Sequence, residues 1–421
     1  MNRPYAVFVW SLLSIITFTT SSIAQEWTRF RGPNGQGQSD ATTIPDKWTE
    51  SDYNWKVKLS GKGHSSPVIW GDKIFLTSAE DSGARMVVCL STKDGSKVWE
   101  KKYPAGTSHI HQQNSFASST PALDKSHVYA AWSTAEEITL VALTHDGKEV
   151  WKQNLGPFDS KHGFGTSPMV YEDLVIIANE QEGKSFLVAV NCKDGKDRWR
   201  IPQERAKGDQ NTSYSTPTVY QPEKGPAELI VNTWGQGMTS VDPKSGKSNW
   251  EVTKMFPLRP IGCPVLAGGL IWGNCGEGGG NNTVFAVKPG TKGGAQPQVA
   301  YKFDRSLAPY VPSLVIHGKL VFLLSEKGLA SCINAESGEK IYAAERVGGR
   351  FSGSPIRVKD RFYAISDEGD VFVLNAGEKY EVISKNPLGE LARSTPAVSD
   401  GVMYLRTESQ LFSLGKKSGA E

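Results

Sequence analysis

A dipeptide that returns on a nearly fixed period constrains this chain more than any other feature. Ser or Thr followed by Pro opens short apolar segments in HSSPVIW, SSTPAL, GTSPMV, YSTPTV, GSPIRV and RSTPAV. With the prolines of CPVL and VPSL included, the openers are Pro67, Pro121, Pro168, Pro217, Pro264, Pro312, Pro355 and Pro396, between 41 and 54 residues apart. Repeats of this length, eight times over, indicate a propeller, because each unit alone cannot bury its apolar face and must stack on its neighbours. Proline suits the first residue of an inner strand, where no N–H is needed for pairing.

Within each unit the signals are those of strands. SPVIWGDKIFLTS and SPMVYEDLVIIAN alternate about turns rich in Asp and Gly, and helical periodicity is hardly visible anywhere. A third strand carries a small residue before its last apolar position, giving the column Cys89, Ala142, Ala189, Ser240, Ala286, Cys332, Val373 and Ser413. Small side chains suit places where blades pack closely, so Cys89 and Cys332 read as core filler. A fourth strand begins with an aromatic after turns such as KDGSKVW and HDGKEVW: Trp99, Trp151, Trp199, Trp250 and Tyr342, whose large apolar areas are expected to dock blade on blade. Units five and seven have no clear aromatic there. The eighth unit stops at LFSLG, and DYNWKVKLSG near the N-terminus has the missing form, with Trp55 in the aromatic place. The expectation is an all-β, eight-bladed propeller of four-stranded antiparallel blades over 48–415, the last blade closed by the N-terminal strand, which removes two free sheet edges. Residues 25–47 form an N-terminal extension and 416–421 a tail.

Forty-seven basic against forty-four acidic residues leave a charge of +3 with no Lys/Arg run, which excludes a nucleic-acid or membrane-surface footprint. Arg3, the apolar run from Tyr5 to Phe18 and the small residues ending at Ala24 match a secretory signal over 1–24. The run is short of the roughly 20 residues a span needs, so the mature chain is expected to be exported, periplasmic or secreted, monomeric and without a membrane span. Five cysteines make no disulfide framework. Cys263 and Cys275 flank a turn near Gly268-Gly269 and fall opposite each other if it centres there, which leaves a disulfide or two buried thiols open.

Ser/Thr-Pro openers combined with D-G-K-x-x-W turns resemble the pyrroloquinoline-quinone-like (PQQ-like) repeat family of eight-bladed propellers, over about residues 48–415. The segments EWTRFRGPNGQG (26–37), HGFGTSPMV and RFSGSPIRV look like exported propellers of this family. The resemblance implies either a quinoprotein dehydrogenase or a non-enzymatic relative such as the propeller subunit of the outer-membrane β-barrel assembly machinery. Quinoprotein alcohol dehydrogenases hold PQQ with calcium, and many carry an adjacent-cysteine disulfide ring. This sequence has no adjacent cysteines and minimal insertions, and no residue of it is matched to a calcium ligand or a catalytic Asp.

Chain segments entering the innermost strands converge on one mouth of a propeller's channel. The residues just upstream of each opener should therefore be neighbours: His64, Asn114, His162, Tyr214, Arg259, Tyr310, Arg350 and Arg393, with His109, His111 and Asn211 close by. His64, Tyr214 and Arg393 share one offset, three residues before their Pro. Such a ring suits a small anion or a carboxylate-bearing peptide; the alternative is a solvated ring of loop residues. In HIHQQN two His at i and i+2 share one face of a strand, yet no third donor lies near in sequence, and no metal is assigned. GNCGEGGGNN (273–282) lacks the Lys-Ser/Thr and helix of a phosphate loop and reads as a long hairpin. The function expected is a non-catalytic scaffold in the cell envelope that binds a partner protein or small anionic ligand and needs no cofactor. The other reading is a PQQ- and calcium-dependent oxidoreductase acting on alcohols or sugars.

Overall fold

In the computed structural model, which describes residues 26–203, 212–304 and 307–417, each opener precedes an inner strand of two or three residues. The leader over 1–24, Asn211 and the tail end at 418–421 lie outside the described residues. Blade 1 is built, from channel to rim, of Val68–Trp70, Lys73–Ala79, Arg85–Ser91 and Lys97–Tyr103, each antiparallel to the next. Blades 2 to 7 repeat this order. Blade 8 takes Ala397–Ser399, Val402–Arg406 and Gln410–Gly415 from the C-terminus and Tyr53–Lys58 from the N-terminus as its outermost strand. The fold is therefore the expected closed ring of eight blades, with no α-helix among the described residues. One opener is shifted: blade 6 begins at Val315, so Leu314 stands where the other blades have Pro, and Pro312 lies two residues upstream.

The small column and the aromatic column prove to be cross-strand partners. Cys89 lies opposite Trp99, Ala142 opposite Trp151, Ala189 opposite Trp199, Ser240 opposite Trp250, Cys332 opposite Tyr342 and Ser413 opposite Trp55. Unit five is regular after all, with Ala286 opposite Tyr301, whose distance from its long KPGTKGGAQPQ turn had hidden it. Blade 7 reverses the pair: the one large residue of the small column, Val373, faces Ser384 in the aromatic place. In each blade a one-residue β-bulge precedes that place and re-aims the side chain toward the next blade. It leaves Val98 and Val150 pointing to solvent.

Re-aimed in this way, each aromatic covers a turn of the following blade. Trp55, Trp99, Trp151 and Trp199 donate their indole N–H to the carbonyls of Thr92, His145, Cys192 and Pro243 at 2.8–2.9 Å, and the Tyr301 hydroxyl donates to Glu336 O at 2.6 Å. Gly195 serves this contact twice, holding φ +71° and leaving no Cβ to meet the Trp151 ring at 2.7 Å. Trp250 packs in a layer with Ile271 and Val287 of blade 5 and donates instead to the Glu228 carboxylate of its own blade, at 2.9 Å. Behind the aromatics the apolar core is divided into layers between blades, and the largest layer joins blades 7, 8 and 1 through Trp27 and Trp48 of the N-terminal segment.

That segment runs round the inside of the ring. Trp27 pairs with Ile69 of blade 1, Thr28 O accepts from Leu123 N of blade 2, and Arg29 reaches Met169 of blade 3 and Pro217 O of blade 4. Asn34 exchanges two bonds with Val219 of blade 4, Gln36 bonds Pro264 O and Leu266 N of blade 5, and Arg31 donates to Leu314 O of blade 6. Gln38–Ser39 adds a parallel strand inside blade 7, and Thr43 bonds Gly401 O of blade 8. Every blade is thus tied to one strap of about twenty residues lying in the channel.

Cys263 and Cys275 are both buried free thiols. The hairpin pairs Val265 with Trp272 and Ala267 with Leu270, a register that carries Cys263 to the level of Asn274. Cys275 is one residue out of step and so faces the other side of the blade, which leaves, of the two alternatives, two buried thiols.

Candidate functional site

The residue two before an inner strand's first position is tied to its counterpart in the next blade at six of the eight blade junctions. Ser66 N donates to Thr120 Oγ1 at 2.9 Å, Thr120 N to Ser167 Oγ at 3.0 Å, Cys263 N to Ser313 Oγ, Ser313 N to Ser354 Oγ and Ser354 N to Thr395 Oγ1, all at 3.0 Å. Thr395 N then donates to Ser66 Oγ at 3.0 Å and closes the circle across the chain's two ends. This collar accounts for the Ser or Thr of the opener: its hydroxyl accepts a backbone N–H of the neighbouring blade that has no strand partner. Proline follows because strand pairing begins only one residue later.

Above the collar the channel widens into a cup of 440 Å³, within the range of small-molecule sites. Its wall has a second tier two residues upstream of the collar, the spacing that keeps side chains on one face: His64, Ser118, Gly165, Tyr214, Ile261, Val311, Ser352 and Arg393 in blade order. Higher on the mouth stand His111, Gln113, Asn114, His162, Arg259 and Tyr310. Phe30 of the strap lines the cup from below while Trp27, Arg29 and Arg31 on either side of it are buried.

Of the eight residues expected to form the ring, His64, Asn114, His162, Tyr214, Arg259, Tyr310 and Arg393 line the cup. Arg350 does not. The connection into blade 7 is short, from Arg346 to Ile356, so Ser352 takes the tier position and Arg350 is exposed, its backbone N–H on Glu368. His109 is also exposed and outside the lining, and HIHQQN forms no strand. His111 instead faces His162 with ring centroids 5.4 Å apart. The hydroxyl collar, Phe30 and the apolar pair Ile261 and Val311 were missed. The collar had a visible signal in the recurrence of Ser or Thr before Pro, in six of the eight openers, whereas the floor comes from a segment outside the repeat.

The electrostatics of the cup are one-sided. Among the described residues no Asp or Glu lines it. Arg259 Nη1 lies 2.7 Å from Nε2 of His162, a bond that only an unprotonated imidazole can accept. Burial, with Arg259 second, pushes His162 down to about 4. Burial, then Arg393 and Arg406, pushes His64 down to about 3, so both imidazoles are neutral near pH 7 and the cations are arginines. Arg393 is held at 3.5 Å by Asp367, which also accepts the backbone N–H and hydroxyl of Ser352. Beneath the wall Arg29, Arg31 and Arg406 are buried, and none of the three has a carboxylate partner among the described residues. Burial lowers all three, to about 10, 10 and 9.

The model of the family described as outer membrane protein assembly factor BamB matches residues 85–259, from the third strand of blade 1 to the mouth of blade 5. No curated protein matches the sequence. Among solved structures, BamB from Moraxella catarrhalis is similar over 89% of this chain and all of its own, at 14% identity and a TM-score of 0.61. A europium-containing methanol dehydrogenase is similar over 93% of this chain and 98% of its own, at 11% identity and 0.66. Quinohemoprotein alcohol dehydrogenase from Comamonas testosteroni is similar over 94% and 81%, at 12% and 0.63. At these identities the likeness is one of fold.

Proposed function

For a chain that is an eight-bladed propeller of PQQ-like repeats, we propose that the central cup binds a small anionic ligand and that the protein acts in the cell envelope as a non-catalytic binding scaffold. The observation that carries this reading is a 440 Å³ cavity with Arg259 and Arg393 in its wall and no carboxylate among the described residues that line it. Three buried guanidiniums without carboxylate partners stand behind it. A lone buried charge is destabilising unless something compensates it, and a bound anion would do so. Export rests on the leader, and the strap engages blade 1 from Glu26 onward, just past the expected cleavage site.

The donor set of the cup does not suit the calcium of a quinoprotein. Calcium takes six to eight oxygen ligands with carboxylates among them; this lining has none, and no three His, Cys, Asp or Glu gather into a metal site among the described residues. The residues fit an organic anion and do not fit that anion's divalent partner, so no redox step is derived. A protein partner, as for an assembly factor, would use the mouth loops or rim.

Titration calorimetry of the mature protein with succinate and inorganic phosphate tests the proposal. Binding that weakens with salt, and weakens about 100-fold or more in the Arg259→Gln/Arg393→Gln double variant, is expected from the loss of two charge-assisted contacts. No binding of either anion, or unchanged binding in a folded double variant, rejects it. Repeating the titration with PQQ, with and without calcium, separates the oxidoreductase reading, which requires calcium-dependent binding.

A further inference from the structure

The repeat makes the collar nearly uniform, and the tier above it is where the blades differ. In blade order the tier has a polar half, Ser352, Arg393, His64 and Ser118 of blades 7, 8, 1 and 2. Across the ring stand Tyr214, Ile261 and Val311 of blades 4, 5 and 6. In an eightfold ring blade 5 faces blade 1, so Ile261 looks across the cup at His64. The collar has the same polarity. Its hydroxyl sequence is interrupted at blade 5, where Cys263 takes the place of Ser or Thr.

The collar also has donors to spare. Ser66, Thr120, Ser354 and Thr395, like Ser167 and Ser313 farther round, each accept a neighbour's N–H through the hydroxyl oxygen, and among the described residues none of these hydroxyls donates a bond. Four of these O–H groups form an unbroken arc below the polar half of the tier, with Thr395 under Arg393. Nδ1 of His64, itself nine-tenths buried, is likewise without a partner. Buried hydroxyl protons and ring nitrogens left unpaired are costly, and a ligand bearing oxygen acceptors satisfies them together.

We propose that this hydroxyl arc under Arg393 seats a carboxylate group, and that Phe30, Ile261 and Val311 receive an apolar body, so that the cup's ligand is an amphiphilic organic acid. The inference rests on the anion-binding reading above and adds which end goes where. The carboxylate takes hydroxyl protons from the arc and the charge of Arg393, while the body covers the floor ring and the apolar wall. Apolar burial then adds to affinity at about three- to fourfold per methylene until the cup is full.

Calorimetry with straight-chain monocarboxylates from acetate to decanoate, with 1-octanol and inorganic phosphate alongside, tests it on the full mature chain. Affinity is expected to climb with chain length and level off, with octanol at least about 100-fold weaker than octanoate because it lacks the charge. Thr395→Val should weaken octanoate about tenfold and Thr395→Ser should restore it, with thermal unfolding checking that both variants fold. Phe30→Ala should weaken octanoate more than acetate and so flatten the rise with chain length. If phosphate and acetate bind while chain length adds nothing, or Thr395→Val binds octanoate like the parent, the amphiphile assignment is overturned and anion binding stands. If no anion binds, both fall together.

Discussion

The rim and the channel of this propeller are held by different means. At the rim each blade grips the next with a repeated apolar device, an aromatic ring laid over a turn glycine with one N–H to a carbonyl. In the channel the blades are tied mainly by polar bonds, first by the collar and then by a strap with no internal repeat, whose Trp27 joins a large apolar layer. Repeated nearest-neighbour contacts distribute stability evenly round a ring. A single strap touching all eight blades concentrates it, and it makes the cup's floor depend on the same twenty residues.

The largest expected effect breaks the channel side. Deleting residues 26–46 removes the Trp27 packing, the parallel strand inside blade 7 and the bonds of Arg29, Arg31, Asn34 and Gln36 at once. Either no soluble protein or a melting temperature lower by at least about 10 °C is expected, since each kcal/mol is worth about 2–4 °C or less in a chain of this size. Melting within a degree or two of the parent would mean that the rim alone closes the ring.

The rim's own logic is testable where it is inverted. In blade 7 Val373 faces Ser384, whereas the other blades set a small residue opposite an aromatic. Ser384→Trp alone should destabilise by about 1–3 kcal/mol through overpacking against Val373. Adding Val373→Ala should recover much of this, giving a coupling of about 1 kcal/mol or more in a double-mutant cycle of denaturant unfolding. Additive single effects would mean that small and aromatic columns are not packing partners.

These two regions also divide what the sequence made legible. The blade count, the closure by Tyr53–Lys58 and the docking role of Trp55, Trp99, Trp151 and Trp199 follow from a period that the eye can align. Where an insertion broke the alignment the reading slipped: Tyr301 was hidden by the turn before it, and Pro312 by two residues of extra connection. Of the site, the tier offset gave His64, Tyr214 and Arg393, because a fixed distance from the opener is a fixed height on the wall. Arg350 failed because the connection into blade 7 is too short to raise it over the mouth. Phe30 and the buried Arg29 and Arg31 could not be placed, since nothing local to RFRGPNG says that it lies inside a ring closed by residues hundreds of positions later.

The smallest expected effect sharpens the comparison by pH. His64 sits in the channel tier, where burial and the charges of Arg393 and Arg406 hold it down to about 3. The unfolded chain takes up that proton near the ordinary histidine value of about 6.5. Between these values the unfolded state binds more protons, so stability must fall as pH falls from about 6.5 and is insensitive to this group above it. One such histidine contributes a slope of at most about 1.4 kcal/mol per pH unit. Denaturant unfolding of the parent and of His64→Gln at pH 7.5, 6.5, 5.5 and 4.5 should give a shallower acid loss in the variant. The same experiment with octanoate present should shrink the difference further, because a carboxylate beside His64 favours its protonated form. Parallel curves for parent and variant would place the acid sensitivity elsewhere than the cup.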